Sequence, residues 1–199
     1  EVSVEEECGI RTFIGIDFDK KLKNKISELQ QSLRKYAVKG RWKYIDNFHL
    51  TLKFLDEINP NQILQIDEAL KEICTEQMPF NLELSDVGVF KGKEYQSVMA
   101  WTFGRDSKAA ILHERIDKAL CPIGFKPENR KYTPHITIGQ DILFKCDFEQ
   151  IKNELGKTLS DRIAVDRLYL FKSEQIVNNG FTQKYRSISF QAIKNVLIL

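Results

Sequence analysis

No stretch of this 199-residue chain approaches the ~20 consecutive apolar residues that a membrane-crossing helix needs, so no such helix is expected. The opening segment, Glu1 to Glu7, is acidic and lacks the basic-then-apolar order of a secretory signal. Residues 1–10 are therefore read as a frayed lead-in. None of the four cysteines (Cys8, Cys74, Cys121, Cys146) belongs to a CxxC pair. That excludes a zinc ribbon or a thioredoxin-like redox site and fits free thiols in a reducing, cytoplasmic setting. An excess of one charge is missing too, because 30 Lys and Arg face 28 Asp and Glu for a net +2. A bulk electrostatic grip on duplex nucleic acid is not expected from that balance. No linker rich in Gly, Ser or Pro divides the chain, so residues 11–199 are expected to form one bilobal domain, working as a monomer. With 42% hydrophobic residues the chain can bury a sizeable core.

Histidine is also scarce, at three residues, and two of the three lie in matching surroundings. In Phe48-His49-Leu50-Thr51-Leu52-Lys53-Phe54-Leu55, strand alternation puts His49, Thr51 and Lys53 on one face and Phe48, Leu50, Leu52 and Phe54 on the other. Tyr132-Thr133-Pro134-His135-Ile136-Thr137-Ile138-Gly139 repeats the pattern, with Thr133, His135 and Thr137 on the polar face. The third histidine, His113, sits in a helical stretch without a hydroxyl partner and is expected at the surface.

The elements around these strands recur in the same order. Arg11 to Phe18 reads as a strand. Asp19 can cap a helix carrying Leu22, Ile26, Leu29, Leu33 and Tyr36 as its apolar stripe. Gly40 lies past its end, and Arg41-Trp42-Lys43-Tyr44 leads into the first His-Thr strand. Asn59-Pro60 opens a second helix through Ile63, Ile66, Leu70 and Ile73. A strand over Phe80 to Phe90 follows, with a turn at Lys91-Gly92-Lys93. The plan then restarts with a strand from Ser97 to Phe103, a cap at Ser107, and a helix through Ile111, Leu112, Ile116 and Leu120 closed near Gly124. After the second His-Thr strand come a helix over Phe148 to Leu155 and two strands, Ile163 to Phe171 and Tyr185 to Ala192, joined through Asn178-Asn179-Gly180. Arg11 precedes His49 by 38 residues, and Ser97 precedes His135 by the same 38. Two such halves about an approximate twofold axis would bring both polar faces to one groove.

Two imidazoles across a groove can divide a proton-transfer reaction, since an ordinary pKa of ~6.5 suits both acid and base near neutrality. Threonine hydroxyls beside them can donate to the non-bridging oxygens of a phosphate. A metal site would want a third or fourth ligand, and neither motif carries one, so no catalytic metal or other cofactor is expected.

His49-Leu50-Thr51-Leu52 and His135-Ile136-Thr137-Ile138 resemble the two HxTx motifs of the 2H phosphoesterases. The nearest branch is the RNA 2′,3′-cyclic phosphodiesterases, also called 2′-5′ RNA ligases. Phe13-Ile14-Gly15-Ile16-Asp17, Asn47 to Leu55 and Gly124-Phe125-Lys126-Pro127-Glu128 extend the likeness over nearly the whole chain from Arg11. The resemblance implies an α+β, bilobal fold in which two antiparallel sheets related by a pseudo-twofold axis line a central cleft, with helices outside. It implies hydrolysis of an RNA or nucleotide 2′,3′-cyclic phosphate end to a 2′-phosphomonoester. His49 would protonate the leaving 3′ oxygen, His135 would activate water, and Thr51 and Thr137 would hold the phosphate. Relatives of this fold also act on 2′-5′ linkages or ADP-ribose cyclic phosphate, and a non-catalytic RNA-end binder is the reading of a different class. Two positions depart from the pattern. Gln140 stands where an arginine is frequent, and Lys172-Ser173 replaces an Arg-Ser pair, exchanging a planar fork for a point charge.

The remaining candidates each have a plainer reading. Arg130 and Lys131 either reach the phosphate or decorate a loop. Lys53 is expected as a solvated rim lysine. Phe48, Tyr132, Phe90, Trp42 and Tyr44 are candidate stacking surfaces for single-stranded RNA, although aromatics beside a buried strand are more often core.

Overall fold

The computed structural model describes residues 10–92, 94–102, 108–156, 159–180 and 183–197. The lead-in through residue 9, Phe103 and the expected cap Ser107 lie outside the described residues. The elements run β1 (Ile10–Ile16), α1 (Lys20–Arg34), β2 (Ala37–Trp42), β3 (Leu50–Ile58), α2 (Pro60–Glu76), β4 (Phe80–Lys91), β5 (Gln96–Thr102), α3 (Lys108–Leu120), β6 (His135–Phe144), α4 (Phe148–Leu155), β7 (Asp161–Val165), β8 (Arg167–Gly180) and β9 (Gln183–Leu197). No described helix is long and apolar enough to cross a membrane.

The helices begin where their caps dictate. Asp19 accepts the Leu22 amide at 2.8 Å, and α1 buries Leu22, Ile26, Leu29 and Leu33. Asn59 and Gln62 form a reciprocal capping box ahead of α2, with Pro60 in the first turn, where its missing N–H costs nothing. Asp147 caps α4.

All the strand pairings are antiparallel, in the order β7-β4-β5-β6-β3-β1-β8-β9, with β2 added beside β6. The hydrogen-bonded path is continuous, but its two halves meet at one residue pair, Leu50 with Ile136. On one side stand β3-β1-β8-β9 and on the other β6-β5-β4-β7, each half led by its own His-Thr strand. The two sheets expected are thus the two halves of one continuous nine-stranded sheet in an α+β architecture. Leu50 and Ile136 are both fully buried, so the junction lies over the hydrophobic core.

Several elements differ from the sequence reading; Asn178-Asn179-Gly180, expected as a turn, ends the strand β8. Residues 37–42 form β2, not a helix exit, and Gly40 lies inside that strand. A Cβ at Gly40 would approach Ile142 Cγ1 to 2.7 Å, so glycine is what lets β2 close on β6. The single strand expected from Ile163 to Phe171 is two. β7 pairs with β4 and β8 with β1, so the chain changes sheet halves at Asp166. Finally, Ile111 is exposed, while His113 and Asp117 of α3 are buried.

Candidate active site

The Leu50–Ile136 pair sets the geometry. Extending that antiparallel register by one residue places His49 across from Thr137 and Thr51 across from His135. All four alternate away from the buried Leu50 and Ile136, so they share one face at the seam between the halves. The central pairing of the sheet thus brings the two motifs together.

Each imidazole is oriented in the same way. His49 Nδ1 lies 2.7 Å from the carbonyl of Asn47, and His135 Nδ1 lies 2.7 Å from the carbonyl of Thr133. A carbonyl only accepts, so Nδ1 carries the proton in both rings and donates it. Each Nε2 is left to work on the shared face. In the first motif Nε2 meets Thr51 Oγ1 at 3.0 Å. With Nδ1 protonated, the neutral ring accepts there and the Thr51 hydroxyl donates.

Aromatic rings wall the site. Phe13 stands 4.5 Å from the His49 ring and stacks on Phe171 at 4.9 Å, and Phe171 itself is 5.9 Å from His49. Phe90 meets His135 edge-on at 5.8 Å. Burial lowers the pKa of His49 to about 4, against the opposing pull of the Asn47 carbonyl; Lys43 and Lys23 depress it further, and Asp17 raises it. His135 is lowered for the same reason, with the Thr133 carbonyl opposing. Both rings are therefore held neutral at pH 7.

Gly15 pairs with Thr51. A Cβ there would come within 2.8 Å of the Leu50 carbonyl oxygen, so only glycine lets β1 lie this close to the motif strand. Tyr169 pairs with Gly15 from β8 and stacks on Phe171, which makes it a site-face residue that motif reading missed.

The other candidates sort differently. Phe48 is fully buried and belongs to the core, which removes it as a substrate contact. Lys172 pairs with Thr12 while its neighbour Phe171 faces His49. Strand alternation therefore turns Lys172 away from the site and leaves Ser173 on the site face. Arg130 is exposed, with its amide donating to Glu128 Oε1 at 3.2 Å. Tyr132 is half-buried, and its hydroxyl donates to the Thr51 carbonyl at 2.7 Å. Gln140 is half-buried and pairs with Arg41 of β2, whose guanidinium binds Asp141.

Lys53 and His113 overturn their expected surface positions. The β1–β3 register skips Leu52, pairing Ile14 with Lys53 and Gly15 with Thr51. This bulge reverses the alternation beyond it. Lys53 is driven inward, 7% exposed, onto Asp117 of α3 and the Lys126 carbonyl at 3.0 Å. Phe54, expected to face the core, is turned out and is 70% exposed. His113 is buried, donates from Nδ1 to the Leu52 carbonyl at 2.6 Å and stacks on Tyr132 at 4.2 Å. The second motif carries the equivalent bulge, since β5 pairs Val98 with Gly139 and Met99 with Thr137, skipping Ile138. The available signal was His113 and Asp117, polar side chains one position after Leu112 and Ile116 in the apolar stripe of α3.

Comparison with known proteins agrees with this architecture. Residues 16–100 and 106–182 match the family model of LigT like phosphoesterases. A Thermotoga maritima protein named RNA 2′,3′-cyclic phosphodiesterase is 30% identical over 164 residues, 82% of this chain and 87% of that protein. A Methanocaldococcus jannaschii protein of the same name is 30% identical over 151 residues, 74% of this chain and 80% of its own. The fold of E. coli LigT, solved with 3′-AMP, superposes with a TM-score of 0.73 at 21% identity, covering 96% of this chain and 98% of that one. With the family model spanning both halves and both His-Thr strands, the chain belongs to the LigT-like phosphoesterases, an enzyme family.

Proposed function

We propose that this chain hydrolyses 2′,3′-cyclic phosphate ends of RNA or nucleotides to 2′-phosphomonoesters, by general acid–base catalysis between His49 and His135 and without a metal. The observation that carries the proposal is the matched tethering of the two imidazoles, each fixed by Nδ1 to the carbonyl two residues before it, with one register joining their strands. In the reaction, water adds to phosphorus as its proton passes to the neutral Nε2 of His135. The bond from phosphorus to the 3′ oxygen breaks, and that oxygen takes the proton held on Nε2 of His49. Thr51 and Thr137 donate to the non-bridging oxygens as their charge grows. The relatives named RNA 2′,3′-cyclic phosphodiesterase support the substrate class. The division of labour between the two histidines rests on resemblance to the family. The same reading has the protein acting as a monomer in a reducing, cytoplasmic setting, where Cys74, Cys121 and Cys146 remain free thiols.

Incubation with a 2′,3′-cyclic nucleotide in excess EDTA is expected to yield the 2′-phosphomonoester, resolved by chromatography against both isomers. Exclusive formation of the 3′ isomer would overturn the leaving-group assignment. Loss of turnover in EDTA would overturn the metal-free mechanism.

The electrostatics set the proton inventory. An acid role requires a protonated imidazole, yet burial holds His49 near pKa 4. Binding of the anionic substrate must therefore raise the imidazole pKa, so that His49 takes up a proton from solvent as the complex forms. Sulfate, which does not titrate near neutral pH, is expected to bind with uptake of up to one proton per site at pH values above about 4, and more weakly as pH rises. Calorimetry in buffers of different ionisation enthalpy measures that uptake, and a value of zero would contradict the charge state assigned here.

A further inference from the structure

The bulge that follows each His-Thr pair leaves backbone carbonyls whose partners come from the opposite half of the molecule. Beyond Leu50 the β3–β6 ladder stops. The Thr51 carbonyl then accepts the Tyr132 hydroxyl at 2.7 Å, and the Leu52 carbonyl accepts His113 Nδ1 at 2.6 Å. His113 belongs to α3, and Tyr132 lies three residues before His135. In the second motif the Ile138 carbonyl accepts Gln30 Nε2 of α1 at 3.0 Å, and the same nitrogen holds the Lys43 carbonyl at 2.7 Å. Each motif strand is therefore held at its bulge by a buried polar side chain on the helix of the other half. Gln30 and His113 are 4% and 7% exposed, and buried polar groups are tolerated at such sites when their hydrogen bonds are made.

Tyr132 stands out because it ties one motif directly to the other. Its chain enters the His135 strand, its hydroxyl holds the backbone of Thr51, and its ring lies flat on His113, 9° from parallel at 4.2 Å. Thr51 in turn donates to Nε2 of His49. A single phenol thus spans from the approach to one imidazole to the hydroxyl partner of the other. We propose that Tyr132, seated on His113, is a positioning residue that sets the spacing of the two halves of the site, and that it does so through Thr51. The tie makes no contact with the reacting atoms. Its effect comes from geometry, since misplacement of about 1 Å in reacting groups can cost ~10²-fold in rate.

The inference rests on the proposed hydrolysis and is tested on the intact chain. Tyr132→Phe removes one hydroxyl and keeps the ring stack. Its kcat on a 2′,3′-cyclic nucleotide is expected to fall at least tenfold, with KM within about threefold of wild type. In a cycle with Thr51→Ala, the phenylalanine is expected to add less than threefold to the loss already caused by alanine, because both changes act through one hydroxyl. His113→Gln keeps a donor for the Leu52 carbonyl but removes the stack, and a smaller fall in kcat is expected. A Tyr132→Phe enzyme with wild-type kcat, or one whose loss simply multiplies with that of Thr51→Ala, would overturn the tie. If Tyr132→Phe does not fold, the His113→Gln comparison decides in the same way. Should the wild-type protein fail to turn over the cyclic nucleotide, the functional reading fails by itself. The tie is then judged by imidazole NMR during a sulfate titration, where Tyr132→Phe must shift the His49 and His135 ring signals relative to wild type, and unmoved signals overturn it.

Discussion

His49→Ala is expected to lower kcat on a 2′,3′-cyclic nucleotide by about 10²–10⁴-fold, and His135→Ala by a similar factor, the usual range for losing a positioned general acid or base. Neither loss should come from unfolding. The ring of His49 lies at the seam, with its Nε2 on Thr51 and its Nδ1 on the Asn47 carbonyl, and its neighbours Phe48 and Leu50 carry the core packing. Removing His49 also removes a ring held neutral by burial. A group whose folded pKa lies below its unfolded value stabilises the neutral-pH protein less and less as pH falls from about 6.5 toward about 4. The alanine variant should therefore lose less stability than wild type on mild acidification, which circular-dichroism melts at two pH values can measure. The double variant is expected to be little worse than either single one, because the two imidazoles act on one transition state. Sulfate affinity should change far less than kcat. If either single variant keeps wild-type turnover, the two-histidine mechanism is wrong. If neither variant nor the wild type turns over substrate while all bind RNA ends equally well, the protein is a binder.

The second large effect concerns stability. Lys53→Met is expected to destabilise the fold by about 3–5 kcal/mol, the typical result of stranding one partner of a buried ion pair. For a chain of this size that corresponds to a fall in Tm of roughly 6–20 °C. The side chains of Lys53 and Asp117 are 6% and 12% exposed. Burial opposes the charge on Asp117, but the hydrogen bond from Lys53 and the Glu128 amide outweigh it and hold the carboxyl below its ordinary pKa. Asp117 accepts that amide on both oxygens, at 3.2 and 3.1 Å, so the pair also fastens the loop that leads to Tyr132 and His135. Adding Asp117→Asn to Lys53→Met should recover part of the loss, since the amide oxygen can still accept from Glu128 while the buried charge is gone. Urea denaturation of the three proteins checks the order. A cost below about 1 kcal/mol for Lys53→Met, the range of exposed pairs, would mean that Lys53 is solvated after all.

Much of this molecule was legible without coordinates, and the reason lies in local chemistry. The caps at Asp19 and Asn59 act over three residues, so α1 and α2 begin where their side chains predict. The pairing of each histidine with a threonine two residues on is also local, because strand alternation fixes which side chains share a face. The matched spacing of the two halves then implied that the faces belong together. The short strand β2 was hidden because nothing in Ala37 to Trp42 distinguishes a strand from a helix exit except the neighbour that covers it, β6.

The order of residues along two strands puts His49 on one face with Thr51 and His135 on one face with Thr137, and the chain alone carried that pairing. The inward turn of Lys53, the outward turn of Phe54, the burial of His113 and the turning away of Lys172 were decided only in three dimensions. A bulge shifts the side chains beyond it to the opposite face until another bulge intervenes, and whether one forms depends on the register against β1 and β5, which are distant in sequence. Polar groups on α1 and α3 then had partners within reach that no spacing along the chain could disclose.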